Sequence, residues 1–371
     1  MAEYYLMNKN KKLLLFQVFF DETIGEYDCK ELERYVDKGE LPPKFSKIST
    51  WLEHRNYAKH KEHLQQWLKE WQLDNVAGFI EMTHALSLND SLWVKKAESG
   101  LIWEKVNLYQ NEFTDVVSKT AFERGLHGLK LSTTSPEFTS EGSFEKCWIQ
   151  EKDGIYLYKK GSSGFANAGL EMYSEYYSAQ YAKALCDSYV DYDLVKYKGS
   201  IVSRCQMFTT EKEGFVPIYK YLDANEVYDY DDLLRVLEPY GFEADFRHMI
   251  ILDAVIFNPD RHFGNFGFIV DNDTFEVLRF APVFDHNMAM LARAMKDDLV
   301  EESPYIAEMG HKIRGQFIPV ARTLLDEVSK ERLRAVADEP LRLHEKFNLP
   351  EERTAFLEKA VQGQIKGILR E

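Results

Sequence analysis

The chain has 371 residues, 45% of them apolar and 14% aromatic, enough for two or three compact units with substantial cores. Its net charge of −15 argues against sequence-independent nucleic-acid binding, which needs clustered Lys and Arg to neutralise phosphates, and equally disfavours an anionic membrane surface. Cys29, Cys147, Cys186 and Cys205 are dispersed without a Cys-x-x-Cys, no apolar run approaches the roughly 20 residues that span a bilayer, and the N-terminus lacks a secretory apolar segment, so a cytoplasmic protein with reduced thiols is expected.

Residues 13–20 read as a strand, paired with residues 4–7 across the turn Asn8-Lys9-Asn10-Lys11. From about Lys47 to Gln72 the apolar spacing is helical, with Leu64, Trp67, Leu68 and Trp71 at i, i+3, i+4 and i+7. His60 and His63 share a face of that helix, but with no third ligand at hand they read as a solvated face rather than a metal site. Residues 86–95 and 103–109 give a strand and a turn rich in hydrogen-bonding side chains, in which Asn89 and Lys95 read as structural.

Residues 132–148 are the candidate phosphate cradle. A cradle needs backbone N–H groups turned toward phosphates, and glycine allows close approach. Gly142 lies here among the hydroxyls of Thr139, Ser140 and Ser143, although a plain surface turn would look much the same. The position of this segment, just ahead of a strand over 154–161, favours the phosphate loop. On that strand Lys159, or Lys160 on the opposite face, is placed to hold the α- and β-phosphates of ATP, and Glu175, in a helix opening near Tyr173, to orient it. A solvated Lys beside a solvated Glu is the bland alternative. Residues 201–209 read as an edge strand leading into a crossover, where Met207 and Phe208 either contact an adenine or pack the core. Residues 228–243, acidic and punctuated by Pro239 and Gly241, open a mainly helical second lobe.

The densest signal lies over 246–287. Residues 246–257 are apolar nearly all round, as a buried helix would be, and Pro259 should end that helix. Asp260-Arg261-His262-Phe263-Gly264-Asn265 is then a loop fixed to a rigid core helix, where catalytic residues tend to sit. Two short strands over 266–270 and 275–280, joined by Asp271-Asn272-Asp273, lead to Asp285. Phosphoryl transfer passes through a loose, charge-rich transition state, so the protein mostly positions groups and neutralises charge. Asn265 and Asp285 supply hard oxygens for magnesium, which keeps waters and phosphate oxygens as its other ligands. Asp260 orients the attacking hydroxyl and accepts its proton late, because a carboxylate with an ordinary pKa of roughly 4 is a poor base at neutral pH. Arg261 and His262 hold the loop or carry phosphate charge. After Asp285 the chain reads as helical to its end, with an apolar stripe through Phe356, Ala360, Val361, Ile365, Ile368 and Leu369 and an acidic solvated loop over 297–303.

An Asp-Arg-His-x-x-Asn loop, a hairpin and a following Asp together resemble the HipA-type serine/threonine kinases and, more remotely, the phosphatidylinositol kinases. Protein kinases proper use His-Arg-Asp with four residues before the Asn. The similarity runs from about residue 84 to about residue 300 and takes in the blocks at 86–95 and 103–109. It implies an α+β, two-lobed kinase-like fold: a small mixed N-terminal subdomain over 1–82, a β-rich N-lobe over 83–209 and a mainly helical C-lobe over 210–371. ATP and magnesium would lie in the cleft, with a protein Ser/Thr hydroxyl as acceptor. Carried over by position, Asp260 is the catalytic aspartate, Asn265 and Asp285 hold metal, Lys159 matches the family's Leu-x-Lys and contacts ATP, and Ser140 or Ser143 is the autophosphorylation site. Some members are the toxin of a toxin–antitoxin pair whose partner binds DNA. Residues 1–82 do not match the family's usual N-terminal subdomain, which leaves an antitoxin partner open. Two further readings stand beside this one: a kinase-fold enzyme acting on a small molecule or lipid, with the acidic balance counting against lipid, and a non-catalytic nucleotide-binding scaffold, which would have no need of Asp260.

Overall fold

The computed structural model describes residues 2–22, 26–55, 76–111, 146–163 and 167–370. The expectations for His60, His63, Leu64, Trp67, Leu68 and Trp71, and for the phosphate-loop residues Thr139, Ser140, Gly142 and Ser143, fall outside the described residues. Two compact units are formed: Met1–Tyr156 with Thr209–Val216 and Ile269–Leu278, and Leu157–Phe208 with Pro217–Phe268 and Arg279–Glu371. The architecture is α+β, as the sequence predicts.

The first unit starts from the expected hairpin. β1 (Ala2–Asn8) pairs antiparallel with β2 (Lys11–Asp21), Tyr4 opposite Phe16 and Leu6 opposite Leu14. With β3 (Glu26–Arg34) and β4 (Leu92–Lys96) they make a four-stranded sheet in the order β3-β2-β1-β4. Period-2 alternation places Tyr4, Leu6, Leu14, Phe16 and Val18 in one core with Ile48, Trp51 and Leu52 of α1 (Ile48–Arg55) and Ile80 of α2 (Val76–Thr83). The Val, Leu, Ile and Phe side chains among them contribute about 1.5–3 kcal/mol each on burial. Beyond α3 (Trp103–Val106), the hydrogen-bonding block is internal scaffolding: Trp103 Nε1 donates to Glu211 at 2.6 Å and the Tyr109 hydroxyl to the Leu88 carbonyl at 3.0 Å. The Asn89 carbonyl accepts from the Phe215 N–H at 2.8 Å, consistent with its structural reading. β5 (Lys146–Glu151) and the start of β6 (Gly154–Lys160) also belong to this unit.

In the second unit, α4 (Glu171–Leu185) is followed by β7 (Asp193–Tyr197) and β8 (Ser200–Gln206), with β8 lying between β6 and β7. The edge strand expected over 201–209 is therefore an interior strand that stops at Gln206. The reason is local: Lys198 and Gly199 both have positive φ, 44° and 84°, the backbone of a tight hairpin turn, and they fold Leu194 and Val195 back onto Ser203 and Val202. A Lys-Gly pair is a weaker turn signal than Asn-Gly, so the sequence gives little sign of β7.

β9 (Glu213–Pro217), β10 (Gly267–Asp271) and β11 (Val277–Phe280) form a three-stranded sheet in the order β11-β10-β9, and β10 and β11 are the hairpin the sequence predicts after Asn265. α5 (Tyr230–Leu237) begins at a capping box, Asp229 accepting from the Asp232 N–H at 3.0 Å. α6 (Glu243–Val255) is the buried helix, with Phe246, Met249, Ile250, Ile251, Leu252 and Val255 all in the core. It ends before Pro259 acts on it. The Asn258 N–H donates to the Asp253 carbonyl at 2.8 Å while Phe257 takes a left-handed φ of 56°, the geometry of a Schellman cap in which glycine is usual. A left-handed non-glycine residue costs about 1–2 kcal/mol, offset here by burying the Phe257 ring on Phe317 at 6.1 Å.

Continuous helix after Asp285 is also corrected. Residues 287–303 are mostly turns, and α7 (Pro304–Glu308), α8 (Phe317–Leu324) and α9 (Glu327–Val336) are short. Pro304, Gly310, Gly315, Pro340 and Pro350 punctuate the run. α10 (Glu351–Leu369) buries Val361, Ile365 and Ile368 of the predicted stripe together with Leu357, while Phe356, Ala360 and Leu369 are half-buried. Among the described residues no helix is long and apolar enough to cross a membrane.

Candidate active site

Strand alternation decides which lysine faces the interior. Leu157 and Lys159 share a face of β6, and Leu157 packs against Ala179, Val190, Tyr192 and Cys205. Lys160 points to the opposite face. Lys159 Nζ lies 2.5 Å from Glu175 Oε1 and 2.9 Å from Asp285 Oδ1, with its side chain 12% exposed. Glu175, buried on α4, receives a second hydrogen bond from the Ser203 hydroxyl on β8. Burial lowers the pKa of Lys159, but the Asp285 and Glu175 carboxylates outweigh it and hold the pKa well above that of an ordinary lysine. The side chain is a fixed cation.

The catalytic-type loop is built around a buried ion pair. Asp253, the acid within the apolar helix α6, accepts from Arg261 Nε and Nη2, both at 2.9 Å, and neither residue is exposed beyond 1%. Arg261 Nη1 donates to the Asn265 carbonyl at 3.0 Å and to the Phe284 carbonyl at 2.7 Å, and Nη2 also meets His286 Nδ1 at 3.3 Å. All five guanidinium N–H donors thus have protein partners. Because one nitrogen bonds both carbonyls, the backbone at Asn265 and the backbone entering Asp285 are drawn together across an intervening hairpin. Of the two roles open for Arg261, the geometry shows the one that holds the loop.

The remaining loop contacts are local. Asn258 Nδ2 donates to Asp253 Oδ1 at 2.8 Å, and its Oδ1 accepts from the Asp260 N–H at 3.2 Å. Asn265 Nδ2 donates to the Asp260 carbonyl at 3.4 Å, and exposed His262 accepts from the Gly264 N–H at 3.1 Å. The Asp260 carboxylate is 36% exposed and lies 3.3 Å from Lys312 Nζ. Asp285 is left-handed, with φ 61°, and its N–H donates to the Tyr192 hydroxyl at 3.2 Å. Next to it His286 is fully buried, its carbonyl accepting from the Ser174 hydroxyl at 2.5 Å. Burial first, and Arg261 second, push the His286 imidazole well below the usual histidine range, so it stays neutral and can accept from the guanidinium. Phe208 packs on Phe284 with ring centroids 5.3 Å apart, and Met207 is half-buried.

The structure therefore brings Lys159, Glu175, Asp285, Asn265 and Asp260 into one connected set of contacts. Asn265 and Asp285 carry the hard oxygen donors that suit a magnesium ion sharing its coordination sphere with water and phosphate. Asp253, Ser203, Tyr192, His286 and Lys312 were not singled out by the sequence. Asp253 left a signal, since an acid deep in the apolar part of a helix demands a buried cation; the others are brought in by tertiary contacts alone.

A strand lysine paired with a helix glutamate, a loop presenting Asp and Asn, and a second Asp beyond a hairpin define a kinase-like α+β fold. No protein-family model matches the chain. The serine/threonine-protein kinase CtkA of Helicobacter pylori is 28% identical over 141 residues, which is 34% of this chain and only 42% of CtkA. The crystal structure of the proinflammatory kinase CtkA from Helicobacter pylori superposes with a TM-score of 0.51 at 18% identity, over 62% of this chain and 90% of that one. HipA of Shewanella oneidensis MR-1, solved with HipB and its operator DNA, gives a TM-score of 0.54 at 12% identity over 98% of this chain and 96% of HipA. The chain has the HipA/CtkA-like kinase fold to which the loop motif pointed.

Proposed function

We propose that the protein is an ATP-dependent protein serine/threonine kinase of the HipA type. What supports this reading best is the bridge made by Arg261, which ties the backbone at Asn265 to that entering Asp285 while Lys159 joins Asp285 to Glu175. Lys159 binds the α- and β-phosphates, exchanging its contact with Asp285 for phosphate oxygens, and Glu175 keeps it oriented. Asn265 and Asp285 hold magnesium, which when bound supplies positive charge against the phosphates. Asp260 orients the acceptor hydroxyl and takes its proton late, as a weak base is suited to do. Arg261, Asp253 and His286 are positioning residues, His262 shapes the loop, and Met207 and Phe208 contact the base. Gly142 lets the phosphate loop approach, and Ser140 or Ser143 is the autophosphorylation site. A HipB-like partner is an extension of this reading, supported by the complex in which HipA was solved. Incubation with ATP and magnesium should add phosphate to the protein or to a protein in a lysate, read by intact mass and phosphopeptide mapping. Transfer only to a small molecule or lipid would move the reading to that acceptor class. Nucleotide binding with no transfer to anything would leave a scaffold.

A further inference from the structure

Positive charge close to the acceptor side, beyond what magnesium supplies, would stabilise the transferring phosphoryl group, because its transition state spreads negative charge over three oxygens. The two obvious cations are committed elsewhere. Arg261, next to Asp260 in sequence, uses all five donors on Asp253, His286, Asn265 and Phe284 and is 1% exposed. Lys159 is held between Glu175 and Asp285.

Among the described residues, the cation that meets Asp260 arrives from far along the chain. Lys312 Nζ lies 3.3 Å from Asp260 Oδ1, with the lysine 57% and the aspartate 36% exposed. An ammonium has three N–H donors, so an ion pair with Asp260 leaves capacity for phosphate oxygens. The turn that carries Lys312 is braced. Gly310 and Gln316 form an isolated antiparallel bridge, and the His311 N–H donates to the Gly315 carbonyl at 2.9 Å. Gly315 has φ 82°, and a Cβ on Gly310 would stand 2.4 Å from the Gly315 oxygen, so both glycines are required by the geometry. Behind the turn, buried His311 packs on Phe317 at 4.8 Å, and the Tyr230 hydroxyl donates to the Arg314 carbonyl at 2.8 Å. An exposed ion pair contributes only about 0–1 kcal/mol to stability, so the pairing does little for the fold, while the braced turn keeps the backbone of Lys312 beside a candidate catalytic carboxylate.

We infer that Lys312 contacts the γ-phosphoryl group of ATP during its transfer, with Asp260 holding its ammonium in place beforehand. The inference rests on the kinase reading and adds a residue to it. In the step, the acceptor hydroxyl oxygen bonds to the γ-phosphorus as the bond from phosphorus to the β,γ-bridging oxygen breaks. That electron pair leaves with ADP, and the hydroxyl proton passes to Asp260. Lys312 keeps its proton throughout and neutralises charge on the non-bridging oxygens.

The test uses the full chain, Lys312→Ala and Lys312→Arg. Affinities for Mg-ATP and Mg-ADP are measured by calorimetry, and the single-turnover loss of γ-labelled phosphate from ATP is followed whatever the acceptor. Lys312→Ala should weaken ATP by about tenfold with ADP unchanged, and slow transfer about 100-fold, the scale of losing one transition-state donor; Lys312→Arg should restore part of both. Equal effects on ATP and ADP, an unchanged rate or a faster one in Lys312→Ala would overturn the inference while wild-type transfer kept the kinase reading intact. A wild type that binds no ATP would overturn both.

Discussion

Replacing Arg261 with Met tests whether the Asp253–Arg261 pair is what assembles the loop. The substitution keeps an unbranched side chain of similar length but removes all five guanidinium bonds, leaving the Asp253 carboxylate, 0% exposed, with the Asn258 amide as its remaining side-chain donor. Breaking a buried ion pair from one side costs about 3–5 kcal/mol. The carbonyls of Asn265 and Phe284 each lose the Arg261 donor, about 1–3 kcal/mol apiece before relaxation, and these losses overlap. A total of about 4 kcal/mol is therefore expected for Arg261→Met, and about 3–5 kcal/mol for Asp253→Leu, which strands the cation instead. The double variant removes both charges and should lose less than the sum by about 2–3 kcal/mol. Urea unfolding followed by far-ultraviolet circular dichroism reads this, because the helices α4–α10 dominate the signal. Single variants within about 1 kcal/mol of wild type, or losses that simply add, would refute the reasoning.

Three further outcomes are expected. Ser203→Ala should cost about 1.5–3 kcal/mol, the scale of a hydrogen bond to a buried carboxylate, and weaken Mg-ATP binding because Glu175 no longer fixes Lys159; an unchanged unfolding midpoint would contradict it. His311 has its pKa lowered from 6.5 to about 4, mainly by burial. The unfolded chain therefore takes up its proton first, so stability present above pH 6.5 is lost as pH falls to about 4, by about 3 kcal/mol in all. His311→Asn should flatten unfolding free energy against pH over that window, and identical slopes in the two proteins would show that the histidine is not the group responsible. Gly310→Ala should displace Lys312 and reproduce the ATP-selective loss of Lys312→Ala; full ATP affinity would show that the turn does not set the lysine's position.

What could be read from the sequence was whatever is encoded over short distances. Asp260 and Asn265 lie in one loop, the hairpin to Asp285 announces itself by alternation and the Asp-Asn-Asp turn, and the period of β6 narrows the interior lysine to Lys159 or Lys160, between which the fold decides. Pro259 marks the helix end in the sequence, but Asn258 and left-handed Phe257 close α6 before Pro259 comes into play. The interior position of β8 depended on a Lys198-Gly199 turn that carries little compositional signal. Lys312 was illegible for a different reason: an exposed lysine between two glycines resembles any surface turn until the fold lays it beside Asp260. Arg261 looked equally fit to hold a loop or a phosphate, and only the partners of its five donors distinguish the two.

The central claim is that Asp260 serves transfer and Asp285 serves metal-dependent binding within one site. The most direct measurement compares wild type, Asp260→Ala and Asp285→Ala side by side, recording Mg-ATP affinity and phosphoryl transfer on the same preparations. Asp260→Ala should bind Mg-ATP nearly as wild type does yet transfer no phosphate, whereas Asp285→Ala should lose the magnesium-dependent part of binding and transfer with it. Equal loss of binding in both variants, or continued transfer by Asp260→Ala, would contradict the account.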